Sequence, residues 1–199
     1  HSSVLRYYLY KTTPVILPIP RGSGKGLVAR KKERLNSNDQ APIIGFAGRF
    51  VEEKGFDILF QAIPEVVEAF PNARFVFAGQ TKMQYEQFYD KHLDEIKKVK
   101  PFLDFLGLLT DKQLPAFYAS LDLFVMPSRS ECFGLVQAEA MLQGTPVICS
   151  DIPGARMLVK KTKFGHLFES ENPADLADSI IKTLKQKKEI TKREESAKN

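Results

Sequence analysis

The segment "DLFVMPSRSECFGLVQAEAMLQGTPVICSD", residues 122–151, has two short apolar runs on either side of a helical pattern. The run "DLFVMPS" predicts a buried strand, and "TPVICSD" predicts another. Between them, "FGLVQAEAMLQG" predicts a helix that Gly144 closes at its C-terminal end. A strand, a helix and a second strand in this order are typical of two parallel strands joined by a crossover helix.

The same alternation continues on both sides of this segment, starting at Ile43. Further strands are predicted at "IIGFAGR", "RFVFAG", "PFLDFLG" and "FGHLFE", and further helices at "DILFQAIPEVVEAF", "MQYEQFYDKHLDEIKKV", "TDKQLPAFYASL" and "NPADLADSIIKTL". About six strands alternating with about five or six helices predict an α/β fold, with a doubly wound, Rossmann-like parallel sheet covered on both faces. Pro64 predicts a kink or an early end of the first of these helices.

The composition is that of an ordinary globular protein, with 199 residues, 43% of them hydrophobic and 27% charged. The two cysteines form no CxxC pattern and the three histidines are scattered, so we expect neither a disulfide framework nor a metal site. A reducing, cytoplasmic location is predicted. No apolar run is long enough to span a bilayer, and the opening residues lack the pattern of a signal peptide. Because the first residue is not Met, we interpret the chain as a piece of a longer protein.

Three parts are predicted along the chain. Residues 1–40 are an interdomain or linker segment with a partial strand, residues 41–187 are the Rossmann-like domain, and residues 188–199 are a basic tail. Much of the net charge of +5 comes from "RGSGKGLVARKKER" and "KQKKEITKREESAK". These stretches are either solvated ends or contacts for an acidic partner, such as phosphate or an anionic lipid headgroup. Nucleic acid is not an expected partner, since no recognisable binding module accompanies the charge.

A doubly wound sheet binds its ligand beyond the carboxyl ends of its strands. The residues at those ends are Gly48-Arg49, Gly79-Gln80, Gly107, Pro127-Ser128 and Ser150-Asp151. Several of them are glycine or serine, which allow a ligand to approach the backbone closely. The candidate site residues should therefore be sought at these positions.

The loop "GRFVEEKG", which begins at Gly48, carries two cations at a strand-to-helix turn. Arg49 as a planar fork and Lys54 as a point charge can clamp a diphosphate. The alternative is a surface loop in which Glu52 and Glu53 neutralise the two bases. The loop matches neither a Walker motif nor GxGxxG.

Two glutamates, Glu131 and Glu139, lie eight positions apart in the segment quoted first. A helix that starts near Gly134 presents backbone N–H groups and the positive end of its dipole, which favour an anion. Carboxylates beside such a helix suit the hydroxyl groups of a ribose or a sugar ring. The alternative is that Glu139 is a solvated helix residue, which its apolar neighbours make less expected.

Several motifs in one order now point to a known family. The chain from about Pro14 to Leu184 resembles the C-terminal, donor-binding domain of a GT-B-fold glycosyltransferase of the large retaining family four, often called group one. The family motif E-x-F-G-x-x-x-x-E is matched at "ECFGLVQAE", and G-R-x-x-x-x-K-G is matched at "GRFVEEKG". Two positions depart from the family pattern: Cys132 stands where glycine is usual, and Met157 where an acid is usual.

The resemblance implies roles for residues of both motifs. Arg49 and Lys54 would hold the donor's diphosphate and stabilise the leaving nucleotide, with Gly48 allowing its close approach. Glu131 would bond hydroxyls of the transferred sugar, and Glu139 those of the ribose. Other donor contacts are implied for Phe133, Gly134 and Leu135 through their backbone amides and for Leu106, Gly107 and Leu108 beside the base.

The resemblance also implies a reaction: retaining transfer of a hexose from a UDP- or GDP-sugar to a glycan or lipid-linked acceptor, with no cofactor and no metal. The setting would be bacterial lipopolysaccharide or surface polysaccharide synthesis, in the cytoplasm, with peripheral contact to the inner face of the membrane. The acceptor would bind an N-terminal domain that this chain lacks, so the chain alone would be inactive.

The residues alone leave two other functions open. The chain could be a non-catalytic module of degenerate GT-B type that binds a nucleotide or glycan. It could also be an unrelated Rossmann enzyme, although the absence of GxGxxG and of a Lys-bound cofactor signature argues against that reading.

Overall fold

Six parallel strands form the sheet of the computed structural model, which describes residues 41–80 and 88–196. Each strand is a run of four or five mostly apolar residues. The strands are β1 (Ile43–Ala47), β2 (Arg74–Ala78), β3 (Leu103–Gly107), β4 (Leu123–Met126), β5 (Val147–Ser150) and β6 (Gly165–Phe168). All six correspond to strands that the apolar runs predicted.

Helices connect the strands and cover both faces of the sheet. They are α1 (Phe56–Ala69), α2 (Phe88–Lys91), α3 (Leu93–Val99), α4 (Leu114–Ser120), α5 (Leu135–Leu142), α6 (Pro153–Thr162) and α7 (Pro173–Ser196). Two 3₁₀ turns, Glu52–Lys54 and Lys100–Phe102, precede α1 and β3. At the start of α7, the backbone N–H of Asp175 donates to Asn172 Oδ1 at 3.1 Å, so Asn172 caps this helix.

The strand order is β3-β2-β1-β4-β5-β6. Every neighbouring pair is parallel, so the carboxyl ends of all six strands lie along one edge of the sheet. The order reverses direction between β1 and β4, and a doubly wound sheet forms its ligand crevice at such a switch point. The predicted Rossmann-like α/β fold is confirmed.

Two apolar layers hold the helices against the sheet. The first lies under α1, α3 and α7 and is rich in phenylalanine: ring centroids of Phe50 and Phe56 are 4.5 Å apart, and those of Phe60 and Phe77 are 5.2 Å apart. The second lies under α4, α5 and α6 and is built mostly from smaller side chains. Burial on both faces explains why the strands are continuous apolar runs and do not alternate with polar residues.

Several sequence predictions differ from the structure or lie outside it. Helix α1 runs through Pro64, so the predicted early end is wrong. Pro64 is exposed, where water can satisfy the carbonyl that loses its backbone partner. The predicted boundary at residue 187 falls inside α7, whose backbone is helical to Ser196. The predicted segment 1–40 lies outside the described residues, as do residues 81–87 and 197–199.

Candidate functional site

A cavity of about 320 Å³ opens at the switch point, between the carboxyl ends of β1 and β4. Its walls come from the end of β1, the 3₁₀ turn before α1, the end of β4 and the first residues of α5. The lining residues are Phe46, Ala47, Gly48, Lys54, Met126, Ser128, Glu131, Cys132, Phe133, Gly134, Leu135 and Val136. Six of the residues to which the resemblance gives a role in donor binding thus meet in one cavity: Gly48, Lys54, Glu131, Phe133, Gly134 and Leu135.

An ion pair crosses this cavity. Lys54 Nζ donates to Glu131 Oε2 at 2.7 Å, and the two side chains are only 24% and 15% exposed. Burial raises the pKa of Glu131, but the hydrogen bond and charge of Lys54, together with the amides of Gly134 and Phe133, lower it below its usual value. The carboxyl group of Glu131 is therefore ionised at neutral pH.

A close backbone contact brings the two loops together. Gly55, directly after Lys54, has φ 62°, and a Cβ on it would lie 2.0 Å from the carbonyl oxygen of Pro127 at the end of β4. Any other residue would collide with that carbonyl and would also be strained in the left-handed region. Gly55 thus allows the turn that carries Lys54 to touch the loop that carries Glu131.

The start of α5 faces the cavity. Gly134 adopts φ 71° as the residue before the helix, which turns the chain from the Glu131 loop into α5. The fully buried Gln137 fixes this turn, since its Nε2 donates to Phe133 O at 3.1 Å and to Ala155 O at 2.8 Å. The positive end of the helix dipole and the charge of Lys54 together favour an anion at this place.

The second predicted acid, Glu139, has a different environment. It lies further along α5, outside the cavity lining, and its Oε2 accepts a hydrogen bond of 2.8 Å from the hydroxyl of Tyr118 on α4. Tyr118 is almost fully buried, and that burial and the charge of Glu139 raise the pKa of the phenol. The side chain of Glu139 therefore accepts a hydrogen bond from a neutral group, whereas that of Glu131 is paired with a cation.

The remaining predicted site residues lie along the same edge of the sheet but outside the cavity. Arg49 follows Gly48, and its side chain is exposed. Leu106, Gly107 and Leu108 lie at the carboxyl end of β3, two strands from β1, which corresponds to roughly 10 Å. Leu108 is 73% exposed. Only an elongated ligand could touch these residues and the Lys54–Glu131 pair together, so their predicted contacts with a base stay a prediction.

A family model described as "Glycosyl transferases group 1" matches residues 28–199. The chain belongs to the group 1 glycosyltransferases. Curated relatives include an uncharacterized glycosyltransferase of Methanocaldococcus jannaschii, 32% identical over 77% of this chain and 38% of its own length. A phosphatidyl-myo-inositol mannosyltransferase of Mycobacterium leprae is also 32% identical, over 70% of this chain and 36% of its own length. The chain thus spans less than half the length of these two relatives.

Solved structures show the same fold for this group 1 glycosyltransferase chain. Anabaena HepE in complex with UDP-glucose superposes with a TM-score of 0.68 and 28% identity, over 92% of this chain and 46% of that one. The C-terminal domain of a group 1 glycosyltransferase, LpcC of Francisella tularensis, superposes with a TM-score of 0.66 over 80% of this chain and 84% of that one. At 23% identity, this second likeness shows the fold alone. The sheet is the C-terminal half of a GT-B fold, as predicted.

The glycosyltransferase chain has functional contacts that the sequence did not reveal. The carbonyl oxygen of Glu131 lies so close to Gly154, in the first turn of α6, that a Cβ there would be 1.6 Å from it. Arg129, two residues before Glu131, forms an ion pair with Asp57 in the first turn of α1. An arginine beside a strand end and an aspartate at a helix start were visible in the sequence, but nothing in it joined the two.

Among the described residues of this glycosyltransferase chain, no three His, Cys, Asp or Glu side chains are grouped so that they could hold a metal ion. Over the same residues, no helix has the length and apolar character needed to cross a membrane.

Proposed function

We propose that this chain is the donor-binding part of a retaining glycosyltransferase that transfers a hexose from a UDP- or GDP-sugar without a metal ion. The observation that carries the proposal is the Lys54–Glu131 pair at the start of α5, in the cavity at the switch point. A nucleotide sugar presents an anionic diphosphate next to a polyol, and this cavity presents a cation and a helix N-terminus next to a carboxylate. HepE, which has the same fold, was solved with UDP-glucose.

The proposed chemistry assigns each charged residue a part in one step. The acceptor hydroxyl forms a bond to the anomeric carbon as the bond from that carbon to the diphosphate breaks. The electron pair of the broken bond goes to the diphosphate, which also receives the hydroxyl proton. Lys54, with Arg49, stabilises the charge that develops on the diphosphate, which is the main electrostatic contribution to the rate. Glu131 holds sugar hydroxyls, so that the anomeric carbon faces the acceptor.

The proposed setting is the synthesis of a bacterial lipopolysaccharide or surface polysaccharide in the cytoplasm, with a glycan or lipid-linked acceptor and peripheral contact to the membrane. One supporting observation is that a relative acts as a phosphatidyl-myo-inositol mannosyltransferase. The acceptor would bind an N-terminal domain of the longer protein. We therefore expect that this chain alone transfers no sugar, and a rate above the uncatalysed background would contradict that expectation.

The test is calorimetric titration of the chain with UDP, GDP, ADP and their sugars. Saturable binding of one nucleotide is expected, weakened about tenfold or more by Arg49→Ala and by Glu139→Ala, because each change removes a hydrogen bond to or from a charged group. Lys97→Ala is the matched control, since Lys97 forms an exposed pair with Asp94 and does not line the cavity. Chelation with EDTA should leave binding unchanged. Failure of the folded chain and of the longer protein to bind any nucleotide would overturn the proposal.

A further inference from the structure

The side chain of Arg129 is 26% exposed and makes four hydrogen bonds. Its Nη1 and Nη2 donate to the two carboxylate oxygens of Asp57 at 2.9 and 2.7 Å, and its Nε donates to Glu171 at 2.6 Å. Nη1 also donates to the carbonyl oxygen of Glu52 at 2.8 Å. The carboxylate of Asp57 is only 7% exposed, so the planar fork of Arg129 meets a nearly fixed partner.

These contacts join the two short segments that carry the ion pair of the cavity. The backbone N–H of Arg129 donates to the carbonyl oxygen of Glu53 at 2.8 Å, so both main chain and side chain hold the 3₁₀ turn. Lys54 follows Glu53 directly, and Glu131 lies two residues after Arg129. Each end of the Lys54–Glu131 pair is therefore within two residues of a contact made by Arg129.

We propose that Arg129 is a positioning residue, which holds Lys54 and Glu131 at the separation that the donor requires by clamping both loops to Asp57. The geometric part of this inference concerns the ligand-free chain. Its consequence for donor binding rests on the proposed function. Arg129 acts through the two loops and does not line the cavity itself.

A second arginine in the same chain offers a matched control. Arg74 forms a similar two-pronged pair with Asp104, with Nη2–Oδ1 at 2.8 Å and Nε–Oδ2 at 3.1 Å. Arg74 opens β2 and Asp104 lies near the start of β3, so this pair is at the amino edge of the sheet, opposite the cavity. Loss of the fork at either arginine removes the same chemistry, but only Arg129 is linked to the site.

The experiment compares Arg129→Lys with Arg74→Lys in the chain. Both changes keep the charge and lose the fork, and both should lower the melting temperature by a few degrees. Only Arg129→Lys should weaken nucleotide binding, by about tenfold, the loss expected for one displaced charge-assisted contact. A second variant, Asp57→Asn, should reproduce the effect of Arg129→Lys, although it substitutes no residue of either cavity loop.

A readout without any ligand separates this inference from the proposed function. In ligand-free protein, carbon-13 NMR titration of the Glu131 carboxyl, assigned with Glu131→Gln, should show a higher pKa in Arg129→Lys and in Asp57→Asn than in the parent chain. Arg74→Lys should leave that pKa unchanged. Equal Glu131 pKa values in all four proteins would overturn the positioning role, whether or not any nucleotide binds. If the two variants show the shift but neither the parent chain nor the longer protein binds a nucleotide, the positioning role is supported and the proposed function is contradicted.

Discussion

Glu131 and Glu139 are eight positions apart in one strand–loop–helix segment, yet they have opposite electrostatic surroundings. Glu131 contacts Lys54 at 2.7 Å, which neutralises it within the cavity. Glu139 accepts a hydrogen bond from the neutral phenol of Tyr118. The charge of Glu131 is therefore offset by a cation, whereas Glu139 is bonded to a hydroxyl group, an environment that suits other hydroxyl groups. Partners contributed by other loops and helices, and not the motif itself, set this difference.

The carboxylate of Glu131 is surrounded by hydrogen-bond donors that also suit an anionic ligand. The carboxylate of Glu131 contacts Lys54 and the backbone N–H of Cys132, and the amides of Phe133 and Gly134 lower its pKa. These are the groups to which an arriving diphosphate would bind. Under the proposed function, an arriving diphosphate therefore competes with Glu131 for Lys54.

Lys54→Met should have the largest effect on this comparison. It leaves Glu131 half-buried without its cation, so the pKa of Glu131 should rise and diphosphate binding should weaken about 10- to 100-fold. Titration calorimetry and carboxyl NMR measure the two effects. Lys97→Met, at the exposed Lys97–Asp94 pair, is the control and should change neither. Unchanged nucleotide affinity in Lys54→Met would contradict the assignment of the cavity as the diphosphate site.

Gly154→Ala should disturb the Glu131 loop and spare Glu139. The added Cβ would meet the backbone carbonyl of Glu131 at 1.6 Å, and a backbone atom cannot move aside as a flexible side chain can. We expect a loss of about 1–3 kcal/mol in the free energy of unfolding. Urea denaturation measures it. Gly144→Ala is a comparison at a site where a Cβ would meet nothing within 4 Å, so strain from its φ of 75° is the only cost there.

Glu139→Gln and Tyr118→Phe separate the second carboxylate from its partner. Glu139→Gln should weaken nucleotide binding about tenfold, because a charged acceptor for hydroxyl groups is lost. Tyr118→Phe removes only the hydrogen bond that holds the carboxylate, and should cost about 1 kcal/mol of stability with a smaller loss of affinity. A larger loss of affinity from Tyr118→Phe than from Glu139→Gln would show that Glu139 does not contact the ligand.

Glu131→Gln should change affinity by a smaller factor, and in opposite directions for a nucleoside diphosphate and for the corresponding nucleotide sugar. Without the competing carboxylate, Lys54 is available to a diphosphate, so a nucleoside diphosphate should bind about two- to fivefold more tightly. The corresponding nucleotide sugar should lose its advantage over the free nucleotide, since the acceptor of the sugar hydroxyls is weakened. Equal losses for both ligands would contradict competition at Lys54.

The smallest effect concerns acid stability. Because the folded-state pKa of Glu131 lies below its usual value of 4.5, the ion pair stabilises the chain above that pH and is lost as the pH falls through the folded-state pKa. The expected contribution is about 1 kcal/mol or less. Denaturation curves between neutral and acidic pH should therefore show a steeper acid loss in the parent chain than in Lys54→Met. Parallel curves would contradict the lowered pKa.

The sequence predicted the elements and several members of the site for one physical reason. Apolar runs mark buried strands, and parallel strands bring their carboxyl ends to a common edge, so Gly48, Lys54 and Glu131 could be expected near one another. The Arg129–Asp57 pair was not predictable, because its partners are 72 residues apart and each is an ordinary charged residue locally. The hydrogen bond from Tyr118 to Glu139 was not predictable either. Tyr118 has the sequence pattern of a core residue, and only the packing of α4 beside α5 brings its hydroxyl to Glu139.

A crystal structure of the chain with a bound nucleotide sugar tests the central claim most directly. We expect the diphosphate within hydrogen-bonding distance of Lys54 Nζ, beside the first residues of α5, with Glu131 released from Lys54 and turned towards the sugar. A nucleotide sugar bound elsewhere on the chain, with the Lys54–Glu131 pair intact, would contradict the account.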